Sequence, residues 1–191
     1  MQPTFFIPHG GGPAFFMDWN PADAWDKMKG FLAGIIPSLP ERPKAIIVVT
    51  AHWEAPEVTV STNPSPELYY DYYGFPKHTY EFTWKPKNDL AVANRALELL
   101  RSAGIGAQED SERGYDHGVF IPMMVAVPDA DIPIVQTCSP SFAHRRIFCA
   151  GPTCRTRGGG AMWMQSRIRS IVPQSLRGNC SPLPAARPSS Q

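Results

Sequence analysis

Residues 44–53, KAIIVVTAHW, form the stretch around which the rest of the chain is organised. The apolar run is continuous, with branched side chains from 46 to 49, and it predicts a strand over 44–50 that is buried on both faces. His52 follows directly, where the chain is expected to leave the sheet. Ligands of open α/β sheets bind outside the carboxyl ends of the strands, so His52 is a candidate site residue.

A smaller version of this pattern stands near the start of the chain. A short apolar run at 4–7 is followed by PHGGGP at 8–13, so His9 comes after a second predicted strand. Two strands that each deliver a histidine to one edge of a sheet would supply half of a metal site, and imidazole suits zinc, iron, copper and nickel. A structural role for each histidine stays open, and the spacing alone indicates no third ligand. The glycine run matches neither the dinucleotide fingerprint nor the P-loop, which argues against a nucleotide.

Strands alternate with helices through the first part of the chain, which is typical of an α/β sheet. The remaining strands are predicted at 57–61, 105–108 and 132–136, and the helices at 21–34, 89–102 and 119–126. We therefore expect an α/β fold with a central, mostly parallel sheet flanked by helices. An aromatic segment at 69–84 interrupts the pattern, and a long ordered loop of this kind is usually functional.

Charge divides the chain after Gln136. Residues 1–136 contain every acidic residue and have a net charge of −7, whereas 137–191 contain eight arginines, no lysine and no acid, for a net charge of +8. All four cysteines also lie in the second segment. We expect 1–136 to form an α/β domain. The segment 137–191 is predicted to be an Arg/Ser/Pro/Cys-rich tail that is disordered or out of frame.

Composition excludes several classes of partner. The overall net charge of +1 gives no general attraction to nucleic acid, and no apolar run approaches the length of a membrane span. The first residues lack the basic and apolar regions of a secretory signal. We therefore expect a cytoplasmic protein with no nucleic-acid or membrane partner, and the sequence leaves its oligomeric state unknown.

His117 is the third histidine of interest. It follows RGYD at 113–116, in what is predicted to be a polar loop. Histidine titrates near neutrality, so His117 is a candidate general acid or base. A loop histidine that only binds the backbone is an equally good interpretation.

Five short motifs follow one another along the chain: PHGGGP at 8–13, TAHW at 50–53, YYGFP at 72–76, RGYDHG at 113–118 with IP at 121–122, and PIVQ at 133–136. In this order they resemble the class III extradiol ring-opening dioxygenases of the DOPA-dioxygenase type, over about residues 3–136. The resemblance implies a truncated form of the subunit-B-like α/β fold of these enzymes. It also implies a non-haem metal enzyme that uses O2 to cleave a small aromatic substrate, a catechol, beside its hydroxyls.

The same resemblance implies roles for individual residues. His9 and His52 match metal ligands, and His117 matches a histidine of the active-site region, which we take as catalytic. The cofactor implied is Fe(II) or Zn(II), and the chemistry favours iron because zinc has no redox chemistry with which to activate O2. Substrate contacts are expected at Tyr72, Phe75 and Pro76.

The chain departs from this family after Gln136, so the resemblance implies that 1–136 is the N-terminal part of a catalytic α/β domain. The resemblance implies a later histidine near a Gly-Ser-Gly turn, acting as acid/base, and a further histidine as third metal ligand, and 137–191 contains neither motif. The abrupt change resembles a change of reading frame, so translating the other frames past codon 136 is expected to yield Gly-Ser-Gly followed by histidine. Two alternatives stay open, a zinc-binding hydrolase and a non-catalytic metal-binding remnant, and the loss of these histidines would leave the chain inactive.

Overall fold

The computed structural model describes residues 2–140, which form a four-stranded sheet with helices on both faces. The sheet order is β1-β4-β2-β3. The strands are β1 (Ile46–Ala55), β2 (Val58–Ser61), β3 (Ala107–Asp110) and β4 (Ile134–Pro140), and the helices are α1 (Asp26–Ser38), α2 (Leu90–Ser102) and α3 (His117–Ala126). Short 3₁₀ turns lie at Ala14–Phe16 and Lys77–Tyr80.

Most of the strand pairing is parallel. β1 pairs with β4 and β2 pairs with β3 in parallel, while β2 meets β4 in an antiparallel contact at Val60 and Thr137. The predicted α/β class, with a mostly parallel sheet flanked by helices, is therefore confirmed. Parallel neighbours need crossover connections, and the helices provide them.

Two apolar clusters hold the layers together. On one face, α1 and α3 pack against β1 and β4, around fully buried side chains such as Leu32, Phe120 and Ile134. On the other face, α2 packs against β2, β3 and β4 through Leu97 and Val135. Burying such side chains contributes about 1.5–3 kcal/mol each, so both helical layers are held mainly by apolar contact.

The predicted strand at 4–7 is wrong, because residues 2–10 form no regular element. Phe5 and Phe6 are exposed, and the short run is flanked by Pro3 and Pro8. Proline has no N–H to donate to a ladder, which disfavours strand pairing at this position. His9 is therefore presented by an irregular segment.

The predicted position of the 44–50 strand is also wrong in two respects. β1 lies at the edge of the sheet, and it continues beyond residue 50 to Ala55. The side chains of Ile47 and Val49 are 52% and 50% exposed, so this strand is buried on one face only. Among residues 2–140, α2 covers the neighbouring strands on that face but does not cover β1.

Two helix starts differ from the prediction. α1 begins at Asp26 and continues through Pro37, whereas α3 begins at His117, two residues before the predicted start. α2 agrees closely, although its N-cap is Asp89, whose side chain accepts from the Val92 N–H. The side-chain amide of the preceding Asn88 donates to the carbonyls of Ser61 and Asn63.

β4 passes the predicted segment boundary at Gln136 and ends at Pro140. Thr137 and Cys138 are buried, and the Cys138 thiol accepts from the Thr59 N–H. The rest of the predicted tail, 141–191, lies outside the described residues. Within residues 2–140, no helix has the length and apolar character needed to cross a bilayer.

Candidate metal centre

Three histidines meet at one end of the sheet. One ligand atom from each of His9, His52 and His117 lies within 4.8 Å of the others. The Nε2 atoms of His9 and His52 are 2.9 Å apart, and the ring centroids of His52 and His117 are 4.0 Å apart. The structure therefore brings all three sequence-predicted histidines to one point, although only two were expected to share a metal.

His52 projects from an interruption in the β1–β4 ladder. The pairing runs regularly to Thr50 and Cys138, then resumes only at Glu54 and Ser139. His52 therefore lies between the two paired stretches, and its N–H donates to the Thr50 hydroxyl at 3.1 Å. Irregularities of this kind are common beside active sites because they redirect a side chain away from the pleat.

Asp71 fixes the orientation of His117. Its Oδ1 accepts from both the backbone N–H and the Nδ1–H of His117, at 2.9 Å and 2.7 Å. Because Nδ1 is engaged in this way, Nε2 is the nitrogen left to face His9 and His52. A carboxylate that orients a histidine through its other ring nitrogen is a common arrangement around protein-bound metals.

Asp116 connects the site to the sheet through hydrogen bonds. It is fully buried at the N-terminus of α3, and its carboxylate accepts from the Thr50 hydroxyl at 2.8 Å and from Gln136 Nε2 at 3.0 Å. Burial raises the pKa of Asp116, and the hydrogen bond from Thr50 opposes that rise. The network joins α3 to β1 and β4, so it fixes the backbone of His52 relative to the first turn of α3, where His117 lies.

Gly118 allows α3 to approach β1 closely. A Cβ at this position would lie 2.6 Å from Cδ2 of His52 and 2.8 Å from the Thr50 hydroxyl. At Gly12, which has φ +53°, a Cβ would lie 2.7 Å from the Phe75 ring. The glycines on both sides of the site therefore serve close packing.

The histidines are electrostatically suited to bind a cation. Burial, reinforced by His117 and His52, lowers the pKa of His9 to about 4. Burial and the nearby His117 also lower the pKa of His52. Metal binding requires neutral imidazole, so these lowered pKa values reduce competition from protons at neutral pH.

The spacing and donor set also fit a transition metal. Two nitrogens that each lie about 2.1 Å from one ion are separated by about 3.0–3.4 Å, close to the distance between the His9 and His52 nitrogens. Buried Nδ1 of His9 has no hydrogen-bond partner within the described residues. Three nitrogen donors match the ligand preference of zinc or iron.

The predicted substrate contacts lie at different depths. Tyr72 is buried, its ring centroid is 5.7 Å from that of His117, and its hydroxyl donates to the Thr79 carbonyl. Phe75 is half-buried against Tyr72, whereas Pro76 is exposed. The structure therefore brings Tyr72 to the histidines, Phe75 to Tyr72, and Pro76 to the surface.

Sequence reasoning missed Asp71 and Asp116 as supports of the histidines. Asp71 is the only acidic residue in the tyrosine-rich run 69–80, which was an available signal. Asp116 directly precedes His117, but its role depends on contacts with Thr50 and Gln136 that the sequence does not reveal. An open cavity of about 570 Å³ lies beside the site. Its lining residues are Ala51, His52, Trp53, Glu54, Tyr69, Asp71 and Arg113.

Comparison with known proteins gives one family match and several relatives. Residues 3–152 match the family described as the catalytic LigB subunit of aromatic ring-opening dioxygenase. Dioxygenase tasH of Hapsidospora irregularis is 38% identical over 146 residues. The 4,5-DOPA dioxygenase extradiol of Beta vulgaris is 35% identical over 138 residues, and that of Escherichia coli strain K12 is 36% identical over 190 residues.

The matched parts differ in extent. The alignments with the Hapsidospora and Beta proteins each cover 71% of this chain, and that with the Escherichia coli protein covers 97%. They cover 43%, 49% and 66% of those three proteins respectively. The chain thus spans about half the length of the first two relatives.

Proposed function

Because this chain belongs to the LigB family of aromatic ring-opening dioxygenases, we propose that it is a metal-dependent extradiol enzyme that opens a DOPA-like catechol with O2. The observation that carries the proposal is the convergence of His9, His52 and His117 at one end of the sheet. Such a cluster of nitrogen donors, with the pKa values of His9 and His52 lowered, suits a metal ion that takes part in oxygen chemistry.

In this proposal His9 and His52 hold Fe(II). When bound, Fe(II) supplies the redox chemistry that O2 requires and that Zn(II) lacks. The lowered pKa values of His9 and His52 keep both side chains in the neutral form that binds metal. The Thr50 hydroxyl donates to Asp116 and accepts from the His52 N–H, and these two hydrogen bonds support the backbone of His52.

His117 is proposed as the acid/base that moves a proton at Nε2. Asp71 occupies Nδ1, so proton transfer takes place at the nitrogen that faces the other two histidines. If His117 instead bound the metal, its removal would lower metal content. We expect His117→Ala to retain metal and to lose ring opening by about 10²–10⁴-fold.

The substrate is proposed to lie against the aromatic segment. Tyr72 packs on His117 and Phe75 packs on Tyr72, so an aromatic ring in front of His117 would meet these two side chains first. Their apolar faces would also exclude water from the proton-transfer site. Pro76 is retained as a contact at the outer end of this surface.

The deciding assay is anaerobic loading with Fe(II), followed by addition of DOPA and O2. We expect O2 uptake and a yellow ring-opened product. The Escherichia coli relative serves as positive control. Product from that relative and none from this chain would contradict an active enzyme and favour a non-catalytic metal-binding remnant.

A zinc-dependent hydrolase is the second candidate. Three histidines form the ligand set of a known type of catalytic zinc site, which is the observation that favours it. Hydrolysis consumes no O2. Ester hydrolysis by the zinc-loaded chain, with no O2 uptake by the iron-loaded chain, would support the hydrolase and overturn the dioxygenase.

A further inference from the structure

Arg113 lines the cavity beside the metal centre. The same cavity has His52 in its wall, and Arg113 is the only lysine or arginine that lines it. Arg113 comes from the loop that precedes α3, four residues before His117. A permanent positive charge therefore faces the space that a substrate bound at the histidines would enter.

Two aromatic rings hold the guanidinium of Arg113. Its Cζ lies 4.8 Å from the centroid of the Trp53 ring and 5.1 Å from that of Tyr69. Trp53 is itself buried, so its position is fixed by packing. A guanidinium held against two aromatic rings loses little freedom when it binds an anion, because its position is already restricted.

The hydrogen-bonding capacity of Arg113 is largely unused by the described residues. A guanidinium has five N–H donors, and within residues 2–140 the side chain donates only to Asp116, at a long 3.5 Å. The Asp116 carboxylate already accepts from Thr50 and Gln136. The pair with Asp116 therefore leaves donors of Arg113 free for a ligand.

Two carboxylates also line the cavity, and both are accounted for. Asp71 is engaged by the backbone and ring of His117. Glu54 is exposed, so solvent and salt screen its charge. Neither forms an ion pair with Arg113 within the described residues.

We infer that Arg113 binds the carboxylate of the substrate, so that this site selects catechols that carry an anionic side chain. The inference rests on the proposed function, since the catechol hydroxyls would lie toward the histidines. A planar, bidentate donor matches a carboxylate, and such charge-assisted pairs are the strong hydrogen bonds of protein sites. Arg113 is thus a specificity-determining residue.

The test compares DOPA with dopamine, which lacks only the carboxylate. Affinities are measured by calorimetry on the zinc-loaded chain, where no oxidation occurs, and on the metal-free chain. We expect the wild type to bind DOPA about tenfold more tightly than dopamine. Arg113→Gln should abolish this preference, whereas Arg113→Lys, which keeps the charge beside Asp116, should retain part of it.

Arg95→Gln, at a surface ion pair on α2, is the matched control and should keep the full preference. An unchanged preference in Arg113→Gln, or equal weakening of both ligands, would overturn the inference, since a merely structural arginine would not discriminate between them. Zinc uptake is measured separately. Failure to bind zinc would count against the proposed function, while the preference of the metal-free chain would still decide the role of Arg113.

Discussion

At the scale of single residues, the contact between Asp71 and His117 is the best-defined feature of the site. One carboxylate oxygen accepts both the backbone N–H and the ring Nδ1–H, which holds His117 in a single tautomer. We expect the ¹⁵N-edited spectrum of the wild type to show a protected Nδ1–H signal from His117. Asp71→Ala should lose that signal, because water then replaces the carboxylate.

Asp71→Asn is the informative partner of that variant, since an amide oxygen can still accept both hydrogen bonds. It should retain the Nδ1–H signal. Asp131→Ala, at an exposed ion pair with Arg42, serves as a surface control and should leave His117 unaffected. A persistent Nδ1–H signal in Asp71→Ala would contradict the assigned orientation of His117.

At the scale of elements, the close approach of α3 to β1 sets the position of His52. A methyl group at residue 118 would overlap Cδ2 of His52 and the Thr50 hydroxyl, and because the buried Thr50 cannot retreat far, the His52 ring would be displaced. We expect Gly118→Ala to weaken metal binding about tenfold or more, the usual effect of disturbing the support of a ligand. Isothermal titration with Zn(II) measures the change.

Gly30→Ala is the matched glycine control. Gly30 lies within α1, where an added Cβ meets no atom within 4 Å. This substitution should leave metal affinity unchanged and raise stability by roughly 0.5–1 kcal/mol, because alanine restricts the unfolded chain and favours the helix. Equal metal affinity in the two alanine variants would contradict the role given to Gly118.

The elements also show what the sequence can and cannot predict. Local periodicity located α2, β2 and the start of the β1 run, because these signals are carried by neighbouring residues. The edge position of β1, the ladder interruption at His52 and the irregular approach of His9 depend on contacts between distant segments. His117 was predicted to lie in a loop, but it lies in the first turn of α3. That placement depends on packing around Asp116, which the local sequence does not reveal.

At the scale of the whole molecule, the face of β1 opposite α1 and α3 is apolar, and no helix within residues 2–140 covers it. Ile47 and Val49 expose about half of their surface, and β1 forms the edge of the sheet. Exposed edge strands of this composition promote association. We expect the double substitution Ile47→Thr with Val49→Thr to reduce self-association, as followed by light scattering over a range of concentrations.

This change should have little effect on the free energy of unfolding, since both side chains are half exposed and threonine suits strands. Ile134→Thr in the buried part of β4 is the contrasting variant and should destabilise the fold by about 1–3 kcal/mol. Unchanged self-association in the double variant would show that this face of β1 is not responsible for it.

The family assignment covers residues 3–152, so it gives no account of the strongly basic segment beyond them. The change of reading frame suggested by the charge after Gln136 stays a prediction about the coding sequence, and translation of the other frames tests it. β4 continues to Pro140, which shows that the fold itself does not stop where the composition changes. A compositional boundary therefore locates a structural boundary only roughly.

The central claim is that His9 and His52 together hold a metal ion. Metal content is measured by mass spectrometry after anaerobic loading of the purified chain with Fe(II) or Zn(II) and removal of the excess. We predict about one ion per chain, lost in His9→Ala and in His52→Ala, and kept in His78→Ala, whose ring contacts the Phe16 carbonyl away from the cluster. Equal metal content in the wild type and in the two ligand variants would contradict the account.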